Sequence, residues 1–228
     1  PRRIKLELED PLEISVACIG PGGENMLPGA MVRADGVTSA ARGEAGISWG
    51  AKKLKAIAVR GTGRVPIANL AAFMDACQRW NRAMYNHEVP PPKQQAHSVQ
   101  PHAYSNTHGR VPGKNFSDPE FQVAWGQRWE QDAAKWKVRP MGSFNCEMAC
   151  HHETTVTTGP MAGAVVCGYG GEIIQEVGPN LGIMDPGVAV ALSGLVDGLG
   201  LDAGEVPRNI AMVMPLVCGA PSRMRIAL

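Results

Sequence analysis

The chain lacks any apolar run able to cross a bilayer: Glu172, Glu176, Asp197 and Arg208 break its longest stretches well short of the ~18 residues a spanning helix needs. Membrane insertion is therefore not expected. It also lacks an excess of either charge, since Lys plus Arg number 22 and Asp plus Glu 21, a net charge of +1. Such a balance gives no reason to expect nucleic acid or an anionic membrane as a partner. Cysteine is sparse, with six residues at 18, 77, 146, 150, 167 and 218, too irregularly spaced for a secreted disulfide framework. A reducing, cytoplasmic compartment is expected. An initiator methionine is missing as well: the sequence starts on Pro1 and stops on Arg225-Ile226-Ala227-Leu228, and it reads as a fragment of 228 residues with room for one good-sized core or two small ones.

What is present centres on Asp197-Gly198-Leu199-Gly200-Leu201-Asp202, two carboxylates with two glycines between them. Upstream, Asp185-Pro186 reads as an N-cap with proline at the first helical position, and Val188, Leu192, Leu195, Val196 and Leu199 recur at helical spacing. Gly198 and Gly200 are expected to stop that helix. A glycine turn lets backbone approach a ligand closely, and ionised aspartates are acceptor-only groups suited to the ring N–H and exocyclic amine of a pterin or purine. An ordinary helix cap has the same composition. Earlier in the chain, Gly43, Gly46 and Gly50 recur beside Arg42, Lys52 and Lys53, which suits either phosphate contact or a hairpin.

Four stretches stand in one order: Ile19-Gly20-Pro21-Gly22-Gly23-Glu24-Asn25; Arg42-Gly43 through Gly46 and Gly50 to Lys52, then Leu54-Lys55-Ala56-Ile57; Cys146 with Cys150; and Asp197 to Asp202. That order resembles the aldehyde ferredoxin oxidoreductase family of tungsten (sometimes molybdenum) bis-pterin enzymes, which includes the tungsten subunit of class II benzoyl-CoA reductase. Its pattern contains I-G-x-x-G-E-N, R-G-G-x-G-A-V-M-G-x-K-x-L-K-A-I, C-x-x-C-x-x-x-C and D-x-x-G-L-D. The resemblance covers about Ile14 to Leu216, so the chain is expected to be roughly the middle third of a family member. It implies an α+β fold: residues 1–66 as the end of a β-rich pterin-binding domain, and 67–228 as the start of a mostly α-helical cofactor and cluster domain.

Within that frame, Ile14–Ile19, Met26–Val32 and Leu54–Val59 read as strands, with Cys18 a small core residue. Asn69 can cap a helix whose Leu70, Phe73, Met74, Cys77, Trp80 and Met84 form one apolar stripe, expected to be core. His87 to Gly113 carries five prolines and reads as a long loop, and His87, His97, His102 and His108 match no common metal spacing. Val111 to Phe116 is similar to the family's L-P-T-R-N-F, and Phe121 to Trp136 reads as an amphipathic helix.

By the resemblance, Cys146 and Cys150 are ligands of a 4Fe-4S cluster, since such clusters are held by thiolates. Ser143 stands where the family has its first cysteine and Glu147 replaces a proline. Serine ligation, a three-iron cluster, or loss of the cluster follow as alternatives; two buried thiols, or zinc on Cys146, Cys150, His151 and His152, are the readings without the family. Arg42 and Gly43 fall on the family's pterin-contacting pair, although Glu44 departs from its pattern. Asp197, Gly200, Leu201 and Asp202 would bind the pterin edge, Glu172 falls on the active-site glutamate, and Cys167 is a candidate tungsten ligand. The implied reaction oxidises an aldehyde to a carboxylate, with electrons passing through the cluster to ferredoxin or an iron–sulfur partner subunit, in a chain that can form a homo-oligomer. The alternatives are an aryl-CoA reductase subunit and a non-catalytic scaffold paralogue.

Overall fold

The computed structural model describes residues 1–8, 14–36, 38–61, 63–85, 112–142, 151–168 and 170–218. The first part contains α1 (Arg2–Glu7), β1 (Ile14–Ile19), α2 (Pro21–Glu24), β2 (Val32–Ala34), β3 (Thr38–Ala40), α3 (Ala45–Ala51) and β4 (Ala56–Arg60). Its strands pair antiparallel in the order β3-β2-β1-β4, with β1 between β2 and β4 and carrying the buried Ile14, Val16 and Ile19. Cys18 on β1 lies opposite Arg33 on β2. Directly paired residues project from the same face, so the cysteine and the arginine share one side of the sheet.

Glycine permits the packing of α2 against α3. A Cβ on Gly50 would overlap the carbonyl oxygen of Gly23, and one on Gly46 would stand 2.6 Å from the carbonyl carbon of Ala30. Gly46 and Gly50 of the Arg42–Lys52 run thus bring two helices and a turn together. That segment is a helix, and the expected strand at Met26–Val32 begins only at Val32, because Met26 (φ 52°) and Gly29 (φ 78°) turn the chain beforehand.

The second part contains α4 (Leu70–Tyr85), α5 (Pro119–Ala133), β5 (Lys137–Met141), β6 (His151–Thr155), β7 (Val165–Gly168), α6 (Gly170–Val177), α7 (Pro186–Leu199) and α8 (Glu205–Cys218). α5 starts where Asp118 accepts a hydrogen bond from Phe121 N–H at 2.9 Å, with Pro119 at its first position. Its Trp125 and Trp129 stack at 5.5 Å, and Trp136 meets Trp129 edge-on at 5.7 Å. Around them Val156, Val166, Ile174, Ala189 and Val190 close a core shared by α5, α6, α7 and β7. Buried Glu176 ties α6 to its neighbours, pairing with Arg208 of α8 and accepting from Asn180 Nδ2 at 2.9 Å.

Two expectations change here. The antiparallel sheet β5-β6-β7 interrupts the helices; β5 and the central β6 (His151-His152-Glu153-Thr154-Thr155) are too polar to show an apolar run, and the apolar β7 is only four residues long. Helix α4 forms as expected, with Asn69 Oδ1 accepting from Ala72 N–H at 3.0 Å, but Leu70, Phe73, Met74 and Trp80 are 49 to 65% exposed. Periodicity identifies the apolar face of a helix; only packing covers it. No helix among the described residues is long and apolar enough to cross a membrane.

The glycines separate cleanly by environment. A Cβ at Gly198 meets nothing within 4 Å, whereas Gly200 has φ +71° and a Cβ there would stand 2.7 Å from the nitrogen of Gly20. Gly198→Ala should therefore raise stability by about 0.5–1 kcal/mol through the unfolded chain and helix propensity. Gly200→Ala should lower it by about 1–3 kcal/mol through strain and overpacking. Urea unfolding of the two variants measures the opposite signs.

Candidate functional site

Helix α7 is built as its sequence directs. Asp185 Oδ1 accepts from Gly187 N–H at 2.8 Å and Val188 N–H at 3.1 Å, Pro186 takes the first position, and Gly200 closes the helix in the left-handed conformation. Gly198 does not stop the helix, which runs on to Leu199 before the left-handed residue ends it. The turn that follows is joined to the first part of the chain by backbone. Met31 N–H donates to Gly200 O at 2.9 Å and Asp202 N–H to Gly29 O at 2.8 Å, flanking a bridge between Ala30 and Leu201. Gly20 lies directly against Leu199 and Gly200, a Cβ on it standing 2.5 Å from Leu199 O, and the Leu201 side chain rests on Gly22. Gly200 and Leu201 thus form the joint on which both aspartates are carried.

The two carboxylates have different partners. Asp197 Oδ1 pairs with Arg33 Nη1 at 2.8 Å, and its side chain is only 10% exposed. Burial drives the Asp197 carboxyl up to about 6, and neighbouring Asp202 adds to this, while Arg33 opposes it. Asp202 Oδ1 caps α8, accepting from Gly204 N–H at 2.6 Å and Glu205 N–H at 3.2 Å. Its Oδ2 lies 3.7 Å from Nε of Arg42, whose side chain is largely exposed. Oδ2 of Asp197 and Oδ2 of Asp202 are both buried and without a hydrogen-bond partner. Buried acceptors in this state are costly, and donors from a ligand or from water satisfy them.

A cavity of about 550 Å³ opens beside Asp197, lined among others by Cys18, Arg33, Lys55, Cys167 and Gly198. Cys18, expected in the core, is half-buried on this wall because it shares a sheet face with Arg33. Cys167 reaches the cavity from β7, its Sγ 3.4 Å from Met141 Sδ, and burial pushes its thiol up against the opposing effect of Arg33. Arg33 Nη2 donates to Cys167 O at 2.8 Å, joining β7 to the wall that holds Asp197. The structure therefore gathers Asp197, Cys167 and Arg33 at one cavity and sets Arg42 beside Asp202.

The other sequence-derived candidates are placed differently. Gly43 is exposed with φ +98° and open space around its Cα, and the exposed Glu44 caps α3 in the left-handed region. Glu172 lies in α6, its side chain outside the described residues. Ser143, Cys146, Cys150 and the four histidines at 87, 97, 102 and 108 also lie outside them. Sequence reasoning missed Arg33 and Lys55. A lone cation in the apolar run Ala30-Met31-Val32 was the only signal for the former.

The raised Asp197 sets a pH dependence. Between about pH 4 and 6 the unfolded chain ionises this group while the folded chain keeps it protonated, so its contribution to stability is full below pH ~4 and is lost as pH rises through about 6. Asp197→Asn, which imitates the protonated form, should stabilise the chain at neutral pH by up to about 3 kcal/mol and flatten the dependence in that window. Urea unfolding at acidic and neutral pH reads both effects; a neutral-pH loss of stability would mean that the Arg33 pair outweighs burial.

Comparison with known proteins identifies the family. Residues 2–61 match the N-terminal domain of aldehyde ferredoxin oxidoreductase and residues 75–218 match its domains 2 and 3. The tungsten-containing aldehyde ferredoxin oxidoreductase of Pyrococcus furiosus is 32% identical over 209 residues, which cover 90% of this chain and 33% of the relative. That of Thermococcus kodakarensis is 33% identical over 208 residues, with the same coverage of 90% and 33%. The WOR-like subunit of an aliphatic sulfonate oxidoreductase from Pyrococcus furiosus is 25% identical over 194 residues. The fold is shared with a chain of the active-site complex of benzoyl-coenzyme A reductase bound to 1,5-dienoyl-CoA, at a TM-score of 0.68 and 23% identity, covering 95% of this chain and 34% of that one. The chain thus spans about a third of the length of its relatives, and with both family domains matched in order on a fold that joins them through the Gly20–Gly200 contact, it belongs to the aldehyde ferredoxin oxidoreductase family.

Proposed function

We propose that this chain contributes one pterin-binding half of a tungsten (or molybdenum) bis-pterin site in an oxidoreductase that converts an aldehyde to a carboxylate. The observation that carries the reading is Asp197 Oδ2, a buried carboxylate oxygen without a hydrogen-bond partner on a side chain that lines a cavity of about 550 Å³, with Asp202 Oδ2, buried and likewise without a hydrogen-bond partner, across the Gly200-Leu201 joint. The donor set fits the group: acceptor-only oxygens complement the N–H-rich edge of a pterin, and glycine backbone at 20, 198 and 200 leaves a flat approach. When bound, the cofactor supplies the two-electron redox change and the oxygen chemistry of the reaction.

The chain's own residues bind, orient and exclude water. Asp197 and Asp202 accept from the pterin edge, carried on the Gly200-Leu201 joint, while Arg42, mostly exposed beside Asp202, extends toward the anionic part of the ligand with Gly43. Glu172, on the first turn of α6, exchanges the proton that aldehyde oxidation releases. Cys146 and Cys150 would hold an iron–sulfur cluster, which would supply single-electron transfer toward ferredoxin or a partner subunit. Residues 1–66 then serve as the close of the pterin-binding domain and 67–228 as the start of the cofactor and cluster domain.

Cys167 supports a second reading. Its place on the cavity wall with Asp197 favours an aryl-CoA reductase in which a cysteine ligates the metal and no oxygen is transferred.

Metal analysis of the purified full-length protein tests these readings. Iron at about four per tungsten is expected with a cluster; tungsten without iron would remove the relay, and absence of both metals would leave a scaffold subunit. Dye reduction with simple aldehydes is expected for the first reading and none for the second, with Asp197→Ala lowering pterin content in either.

A further inference from the structure

Arg33 belongs to none of the glycine-rich or acidic motifs, yet it joins three segments at the cavity. Its Nη1 lies 2.8 Å from Asp197 Oδ1, while Nη2 donates to the carbonyl of Gly36 at 2.7 Å and to that of Cys167 at 2.8 Å. The side chain is 14% exposed, so the guanidinium is held in a largely dry setting. A planar fork of donors fixes direction as well as distance, which an ammonium does not.

Among the described residues, the other side-chain cations lining this cavity have their own partners: Arg3 pairs with Glu7 at 3.0 Å, and Lys55 with Glu24 at 2.8 Å and the carbonyl of Ile19 at 2.7 Å. Behind β7, Arg139 pairs with Glu153 at 3.2 Å. Asp202 acts on Asp197 as a like charge, with its Oδ1 on the α8 cap and its Oδ2 3.7 Å from Arg42.

We propose that Arg33 is a positioning residue of this site: by holding Asp197 Oδ1 and the Cys167 carbonyl at once, it leaves Asp197 Oδ2 as the ligand-facing acceptor and fixes β7 on the same wall. The inference rests on the reading that Asp197 receives a pterin. The carboxylate's orientation is then set from the first part of the chain, by a residue of strand β2. Removing one partner of a buried charge pair leaves the other uncompensated, and such losses are felt mainly in dissociation. Asp197, already raised by burial, would rise further without its cation and be protonated at neutral pH.

The test is the rate of pterin release from purified full-length protein, followed by the fluorescence of the oxidised pterin near pH 7 and near pH 9. Arg33→Met should release pterin about tenfold faster than wild type near pH 7, and the excess should fall by about threefold or more near pH 9, where the lone carboxylate ionises again. Arg33→Lys, which restores the charge, should recover part of the loss. Arg33→Gln is read by the same criteria should the methionine variant fail to fold. Release equal to wild type, or faster by the same factor at both pH values, would overturn the proposal, since a purely structural role has no such pH signature. Asp197→Ala separates the two levels. If that variant releases pterin no faster than wild type, the pterin reading itself fails; if it releases quickly while Arg33→Met behaves as wild type, only the role of Arg33 fails.

Discussion

The rest of the structure depends on one backbone contact, Gly20 against Leu199-Gly200, closed by the hydrogen bonds from Met31 N–H to Gly200 O and from Asp202 N–H to Gly29 O. Side chains cannot occupy that interface, because a Cβ on either glycine would stand within 2.7 Å of opposing backbone. The consequence is a short, stiff joint between the β-sheet of the first part and the end of α7. Asp197 stands just before the joint and Asp202 just after it, so both carboxylates inherit its rigidity. A site built this way is organised by the fold before any ligand arrives.

Electrostatics then divides the two aspartates. Asp202 spends one oxygen on the cap of α8 and keeps the other toward Arg42; Asp197 spends one on Arg33 and keeps the other without a donor. Burial works against ionisation at Asp197, and the guanidinium works for it, leaving the group at about 6. That balance places the site's acceptor character near neutral pH, where a small change in its surroundings changes what it can bind. The cavity that Asp197 and Cys167 share with Arg33 is the physical basis for reading this part of the chain as a cofactor wall.

Much of this was legible beforehand where the signal is local. The caps at Asp185 and Asn69, and the closing role of Gly200, are short-range hydrogen-bond and backbone preferences, and they decide where α4 begins and where α7 begins and ends. The polar strands β5 and β6 escaped because their pairing partners, not their own composition, make them strands, and β7 because its apolar run is only four residues long. The apolar face of α4 was legible and its burial was not: Phe73 and Trp80 have the right period and no cover among the described residues.

The sequence by itself determined the family, through ordered motifs, and the chemistry available at each position: acceptor-only carboxylates, glycines that admit close approach, thiols able to meet a metal. Tertiary structure alone decided which of these meet. Gly46 and Gly50 turned out to serve helix packing at Ala30 and Gly23, Leu201 packs on Gly22, and Arg33, unmarked in any motif, became the partner of Asp197. The physical reason is range. Capping and turn preferences act over a few residues and are written in the chain, whereas the pairing of a guanidinium with a carboxylate across two elements exists only once backbone packing has brought them within hydrogen-bonding distance.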